Sequence, residues 1–507
     1  MIRTPSSVAL CVAVLVSCFG TTAAAATYYV CDSAADCNAG AGSGWSTGSD
    51  ARSKTQAQSR STPWKTIDHA EENVGPGDTV IVGDGTYGSA AQEWNEVVLY
   101  IDASGTLAAP ITFRAENKWG AVLSGANTMH GAIWLNCHAS PPASHIRIQD
   151  FEIANFFELG VRSKDNNGAP YNTRCDNIEL SGLRVHHVRH SGIELEATEN
   201  SVVERNVIFD VYGGLPDAVN QYHGVYVSDN TDKIRVVNNL VYDIPHGWPV
   251  HVFDDHNHGG PASNHTFINN TLVNTNSERS GGIVAFGAGH VIRNNVLYEA
   301  VSASGYEYAI AESAGSGVVS LAENNLTNLP KLCKAGCPGA SMANNTLNSN
   351  LTNEFTDPKT ADYTQRPGAL SIDTGTGVGA PKVDLLGASR PQGTATDIGA
   401  YEFPDEPADA GHSDSGASDA SSDPDADAGE PDGAAAGPDA GIPKDAGTGM
   451  PSTPSNGASD DGGCQCSAPL GKSKQPVGLL LVFLCALLAR RRVSCTERRL
   501  KPPRDGR

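Results

Sequence analysis

Apolar and polar residues alternate down the middle of the chain in short runs, each opened by a small residue. These runs are Gly160-Val-Arg-Ser-Lys, Gly192-Ile-Glu-Leu-Glu, Gly224-Val-Tyr-Val-Ser, Pro249-Val-His-Val-Phe, Gly282-Ile-Val-Ala-Phe and Ala309-Ile-Ala-Glu-Ser. A second set, out of phase with the first, follows the pairs Gln149-Asp150, Ser181-Gly182, Arg205-Asn206, Asn238-Asn239, Asn269-Asn270, Asn294-Asn295 and Asn324-Asn325. A period of two marks strands, and no long helical period interrupts the runs. Two strand phrases per variable period of about 30 residues predict stacked coils, because no single turn buries its own apolar face.

Successive coils then pair strand on strand into parallel sheets around a dry core, at about 4.8 Å per coil. Loops such as 216–221 and 255–264 absorb the differences in coil length. An Asn at a fixed place in each coil can take a left-handed turn and bond its equivalents above and below. An internal ladder is therefore expected at Asn206, Asn239, Asn270, Asn295 and Asn325, since an unpaired buried amide is costly. Ahead of the repeats, Thr62-Pro63 reads as an N-cap and first-turn proline for a short amphipathic helix carrying Trp64, Ile67, Ala70 and Val74. Such a helix would plug the open first coil.

Taken together, these features resemble the right-handed parallel β-helix of the pectate-lyase-like superfamily, over residues 27–404. The opening stretch, with Thr27-Tyr-Tyr-Val, Pro76-Gly-Asp-Thr-Val-Ile-Val and Gly85-Thr-Tyr, is similar to that of many secreted β-helix proteins, several polysaccharide lyases among them. Asp362-Tyr-Thr-Gln-Arg-Pro-Gly and Asp397-Ile-Gly-Ala-Tyr-Glu are similar to the closing segment of bacterial surface β-helix proteins. The predicted fold is an all-β solenoid with a short capping helix, followed by a disordered acidic linker and a short C-terminal hydrophobic helix.

The flanking segments bear on location. Residues 1–26 have a lone Arg3, an apolar run and the small-residue end Ala24-Ala25-Ala26, the layout of a secretory signal peptide cleaved after Ala26. Residues 405–463 hold fourteen acidic residues and one Lys with almost no large apolar side chain, so they read as an extended linker. Residues 464–507 bring Cys464-Gln-Cys466, the apolar run Val477–Ala489 and Arg490-Arg491-Arg492. This trio resembles the MYXO-CTERM sorting tail of myxobacterial surface proteins. The resemblance implies a sorting protease acting at Cys464 and anchoring at the outer envelope of a Gram-negative cell. A marginal single-pass anchor with its Arg cluster inside is the other reading. Of twelve Cys, six lie within 27–404, and an even set in an oxidising compartment reads as disulfides. Cys31–Cys37 and Cys333–Cys337 are expected as short staples, leaving Cys137–Cys175 as the third.

Charge narrows the ligand. The whole chain carries a net charge of −22, and residues 27–404 hold 23 Lys/Arg against 41 Asp/Glu. Nucleic acid is thereby excluded as a partner, and a polyanionic glycan needs a local basic groove or bound Ca²⁺. A monomer is expected. If the Val or Ile after each opening residue points inward, the next residue points out. Arg162, Glu194, Tyr226 and His251 then form one outward row, and Lys164, Glu196, Ser228, Phe253 and Phe286 a second, with Tyr222 and His223 just ahead. A linear polysaccharide could lie along this face; a solvated sheet with rungs of opposite charge would look the same.

Two reactions fit the inventory. For β-elimination from a uronic acid polymer, the first expectation, Lys164 or His251 would be the base and Arg162 the neutraliser. Glu194, Asp229, Asp254 and Asp255 would be ligands for Ca²⁺. For glycoside hydrolysis, Glu194 would pair with Asp254 or Asp255. The run Asp254-Asp255-His256-Asn257-His258 could equally be a metal loop or a plain polar loop. A glycan-binding or adhesin-like rod without chemistry would use the aromatic rows alone.

Overall fold

In a computed structural model of the chain, the structure describes residues 25–40, 43–88, 97–164, 173–212, 222–253, 261–275, 281–299 and 307–404. The expected signal peptide before residue 25, the acidic linker, the tail with Cys464, and Asp254 and Asp255 lie outside the described residues. Among those described, the chain winds as a parallel β-helix with three long sheets. Each central coil contributes one strand to each sheet: Cys175–Ser181 to sheet 1, Arg184–Val188 to sheet 2 and Ser191–Leu195 to sheet 3. The next coil repeats the order with Val202–Glu204, Val207–Ile208 and His223–Val227. Every pair along these sheets is parallel, and residues such as Val161, Ile193, Val225 and Val250 stack in register at 0% exposure in the core.

The sequence reading of two strand phrases per coil is corrected to three. Sheets 1 and 2 meet at a two-residue corner, so in sequence Ile146-Arg-Ile-Gln-Asp-Phe-Glu-Ile looks like one run although it turns at Asp150. The corner also divides the two Asn of each pair. Asn238, Asn269, Asn294 and Asn324 adopt the left-handed conformation, with φ between 52° and 55°. Their successors form the expected ladder: the Nδ2 of Asn206, Asn239, Asn270 and Asn295 each donates to the Oδ1 of the next at 3.0 Å, and Asn325 continues it to Asn345. Each ladder Oδ1 also accepts a backbone N–H from the coil before, as Asn270 does from Asn239.

The capping helix spans Ile67–Glu71, and its N-cap is Thr66, whose hydroxyl accepts from the His69 N–H. Thr62-Pro63 is therefore not the cap. Trp64 instead bridges Val30 at the edge of sheet 1 and stacks on Tyr28. Glu71 ties the helix to the first strand of sheet 3 by accepting from the Asp102 and Ala103 N–H groups at 2.7 Å each.

The closing segment does not cap the last coil. After the antiparallel pair Phe355–Asp357 and Asp362–Gln365, the chain returns along the outside of sheet 2. There Leu385, Ile398, Ala400 and Tyr401 pack on Leu240, Tyr242, Val273 and Val296 in a second apolar cluster. The left-handed asparagines dock it: Asn238 donates to the Val383 carbonyl, Asn269 to Asp397 and Gly399, Asn294 to Thr376 and Asn324 to Thr374. A buried ion pair, Arg390 to Glu402 at 2.6 Å, fixes its fold. The three disulfides are Cys31–Cys37, Cys137–Cys175 and Cys333–Cys337. Sheet 2 is thus covered over its later coils by the chain itself.

Candidate functional site on the outer face of sheet 3

Sheet 3 runs through Val97–Ile101, Gly131–Asn136, Leu159–Lys164, Ser191–Leu195, His223–Val227, Trp248–Val252 and Ile283–Ala285. Its register makes Tyr100, Trp134, Arg162, Glu194, Tyr226 and His251 successive partners, one per coil, on the side opposite the core. Two residues further on, Lys164, Glu196, Ser228, Phe253 and Phe286 form a parallel column. A third column precedes the strands: backbone bonds link His130 to Leu159, Glu158 to His190 and His190 to His223, aligning His130, Glu158, His190 and Tyr222.

The columns divide into a charged part and an aromatic part. In the charged part the Arg162 Nη2 lies 3.1 Å from the Glu194 Oε1 and 3.9 Å from the Glu196 Oε2, and the Lys164 Nζ lies 3.6 Å from the same Glu196 oxygen. Glu194 is 4% and Glu196 5% exposed. The Glu194 Oε2 is buried without a hydrogen-bond partner, its nearest cationic candidate being the His190 Nδ1 at 3.6 Å. His130 and Glu158 pair beside this group, and Arg162 lies over the Trp134 ring. Burial pushes the Glu158 carboxyl up, but the His130 bond together with His190 and Arg162 outweighs it and holds Glu158 below its usual range.

One coil on, the side chains are aromatic. His223 packs between Tyr226 and Trp248, with ring centres at 5.0 and 5.6 Å, and His251 contacts Tyr226, Trp248, Phe253 and Phe286 at 5.0 to 6.3 Å. Tyr222 sits at the flank between His190 and His246. The two histidines share one hydrogen bond, His251 Nδ1 to His223 Nε2 at 2.9 Å. Burial pushes both well down, His251 to about 3, so both are neutral at neutral pH. The His223 ring also has a backbone hydrogen bond with Tyr222, which opposes the effect of burial without outweighing it. His251, a candidate base from sequence, is neutral in this setting.

The structure therefore brings Arg162, Lys164, Glu194 and Glu196 into one ion-paired group and His223, Tyr226, His251 and Phe253 into an adjoining aromatic one. Asp229 is buried after its strand, and its carbonyl accepts from Ala197. Among the described residues, Glu194, Glu196 and Asp229 do not converge as a cation site. Among the described residues, the one triad of His, Cys, Asp or Glu groups close enough to surround an ion is Glu312 with Cys333 and Cys337. That triad is not a metal site, because the cysteines are disulfide-bonded and Glu312 accepts the Lys334, Ala335 and Cys337 N–H groups. Glu194, Glu196 and Asp229 thus form no cation cluster by themselves, and Asp254 and Asp255, the other expected Ca²⁺ ligands, lie outside the described residues. Trp134, Trp248, His130 and Glu158 were missed in sequence. Gly131-Ala-Ile-Trp fits the opening phrase one coil earlier, and the column of His130, Glu158, His190 and Tyr222 recurs just ahead of the strands.

No protein-family model and no curated protein sequence matches the chain. Among solved structures, pectate lyase Pel9A is 14% identical with a TM-score of 0.41, over 74% of this chain and 96% of that one. A rhamnogalacturonan lyase is 15% identical with a TM-score of 0.40, over 68% and 93%. A GH136 lacto-N-biosidase from Eubacterium ramulus is 14% identical with a TM-score of 0.33, over 63% and 67%.

Proposed function

We propose that the outer face of sheet 3 binds a polysaccharide along the rod and cleaves it by glycoside hydrolysis, with Glu194 and Glu196 as the carboxyl pair. The observation that carries this reading is the shared Arg162 nitrogen, within 4 Å of both carboxylates. It limits those two oxygens to a separation of at most about 7 Å, a bound that is compatible with the shorter spacing of about 5 to 5.5 Å that acid and nucleophile pairs use. The Glu194 Oε2 makes no hydrogen bond, only an ion-pair contact with the His190 Nδ1 at 3.6 Å, and so keeps the acceptor capacity such a residue needs. Tyr226, Trp248, Phe253 and Phe286 supply stacking surfaces for sugar rings, and neutral His251 a hydrogen-bonding ring beside them.

A neutral glycan suits this face better than a polyanion. Arg162 and Lys164 are both already matched by carboxylates, so no local positive field offsets the acidic rod. β-Elimination is the second reading, favoured by Lys164 standing close to Arg162 on the same strand; Lys164 or neutral His251 would be the base. Incubation of the purified protein with neutral glycans, pectate and alginate separates the two. New reducing ends without absorbance near 235 nm mean hydrolysis, and rising absorbance means elimination. Glu194→Gln and Glu196→Gln should each lower hydrolysis by about 10²-fold or more; full activity in both variants would overturn the assignment. Silence on every glycan, with binding retained, would leave a binding rod.

Export by residues 1–26 and tethering at the cell envelope through residues 464–507 complete the proposal. Three disulfides in the rod support an oxidising compartment. Mass spectrometry of the cell-surface form should find Thr27 at its N-terminus and a chain that ends or is modified at Cys464.

A further inference from the structure

On the outer face of sheet 2, before the closing segment covers it, two consecutive histidines meet ring to ring. Neighbours in a strand point to opposite faces, but His187 is left-handed, with φ 52°, and turns its ring toward that of His186. The column it belongs to is otherwise Asn155, Asp210 and Asp243, residue types that accept this conformation readily. The two Nδ1 atoms are 2.6 Å apart, with the rings 75° from coplanar.

The other nitrogen of each ring faces a carboxylate: the His186 Nε2 is 3.3 Å from the Glu152 Oε1, and the His187 Nε2 is 3.1 Å from the Asp210 Oδ2. A carboxylate at Nε2 holds the proton there and leaves Nδ1 as a lone pair. With both protons held at Nε2, two lone pairs converging at 2.6 Å need a positive species between them. The setting favours one, since the carboxylates of Glu152, Asp210 and Asp243 lie around the rings, with Arg184 3.4 Å from Glu152. Phe209 stacks flat on His186 at 4.9 Å and fixes its ring, while the His187 side chain is 46% exposed and leaves an entry path.

We propose that His186 and His187 form a binding site for a divalent transition-metal ion. The ion would take the two Nδ1 atoms as ligands and solvent for the rest of its shell, with Glu152 and Asp210 orienting the rings. Imidazole pairs suit Cu²⁺, Zn²⁺ and Ni²⁺, and nitrogen–metal distances near 2.0 Å place the two nitrogens about 3 Å apart, so the pair has to open by only a few tenths of an ångström. The site is separate from the sheet 3 face and does not depend on its chemistry.

The test titrates the metal-free full chain with Cu²⁺ and reads the electron paramagnetic resonance spectrum. The expected result is one equivalent with two coupled imidazole nitrogens. His187→Asn, which keeps a residue at ease in the left-handed turn, should abolish that signal. Asp210→Asn should weaken binding by about 10- to 100-fold. His256→Ala with His258→Ala, in the other histidine-rich stretch, should leave the signal intact. Absence of the two-nitrogen signal in the wild type would overturn the proposal and leave a shared proton between the rings. So would an unchanged signal in His187→Asn.

Discussion

Two buried histidine pairs lie a few coils apart, and they differ in what their nitrogens do. In His265 and His290, stacked at 5.0 Å inside the rod, every ring nitrogen has a partner. The His265 Nδ1 accepts from the Ile234 N–H and its Nε2 reaches the Thr231 hydroxyl; the His290 Nδ1 accepts from the His265 N–H and its Nε2 donates to the Phe286 carbonyl at 2.6 Å. In His223 and His251 on the outer face, one bond joins the rings, His223 has a backbone bond with Tyr222, and the His251 Nε2 bonds to no described residue. Burial alone therefore does not mark a site. The interior pair replaces backbone bonds that a coil would otherwise lack, whereas the outer pair keeps hydrogen-bonding capacity that its own chain does not use.

Breaking the interior pair should have the largest effect. His290→Ala strands the His265 N–H and the Phe286 carbonyl in a dry core and opens a cavity. About 3 kcal/mol of stability should be lost, read as a lower urea midpoint; a loss below about 1 kcal/mol would erase the distinction between the pairs. The outer pair should respond in the opposite way. His251→Gln, of similar volume, should cost less than about 1 kcal/mol in stability but about 10²-fold in glycan turnover, equivalent to about 2.7 kcal/mol of transition-state stabilisation. Loss of stability without loss of turnover would make His251 scaffold.

Acid titration sharpens the same contrast. A histidine whose folded pKa lies below its unfolded value contributes fully above the unfolded pKa, and that contribution declines as pH falls toward the folded one. His251, at about 3 against 6.5, and His223, well below 6.5, should each cost about 1 kcal/mol between pH 6.5 and 5.5. A double variant, His223→Gln with His251→Gln, should accordingly lose about 2 kcal/mol less than the wild type over that interval in parallel urea titrations. Carboxyls that burial pushes up, Glu299 among them, act in the opposite sense but cancel in the difference. Equal pH slopes would mean that the outer pair is already protonated, and that it is not neutral at the working pH.

What could be read in advance followed the strength of the local pattern. Alternation fixed the inward and outward sides of sheet 3, and with them the columns of Arg162 and Lys164, because a strand period of two leaves no other face. The asparagine ladder was legible because its residue type repeats. The third sheet was hidden by a two-residue corner that leaves hydropathy unbroken. Thr62-Pro63 looked like a cap because capping is a local rule, yet the long-range pairing of Trp64 with Val30 and Tyr28 took that segment for the rod instead. The convergence of Glu194 and Glu196 on one guanidinium depends on which neighbour a flexible side chain chooses, and no spacing encodes that choice.

The smallest effect should come from the asparagines, where the same contrast recurs within each pair. Asn239 is closed into the ladder at both ends, donating to Asn270 and receiving from Asn206. The side chain of Asn238, its neighbour, is bonded only to the returning segment: it donates to the Val383 carbonyl at 2.6 Å and accepts from the Arg390 Nη2 at 3.2 Å. In Asn238→Gly the left-handed turn, at φ 55°, survives without strain, and the Arg390 Nη2 keeps its second acceptor, the Gly399 carbonyl at 2.8 Å. What disappears is one anchor, worth about 1 kcal/mol, equivalent to about a fivefold rise in local opening. Hydrogen exchange should show that rise in residues 383–399, with the amides of Asn239 and Asn270 unchanged. Faster exchange in the ladder as well would mean that the returning segment and the coils open as one unit, and that the outer asparagines belong to the core.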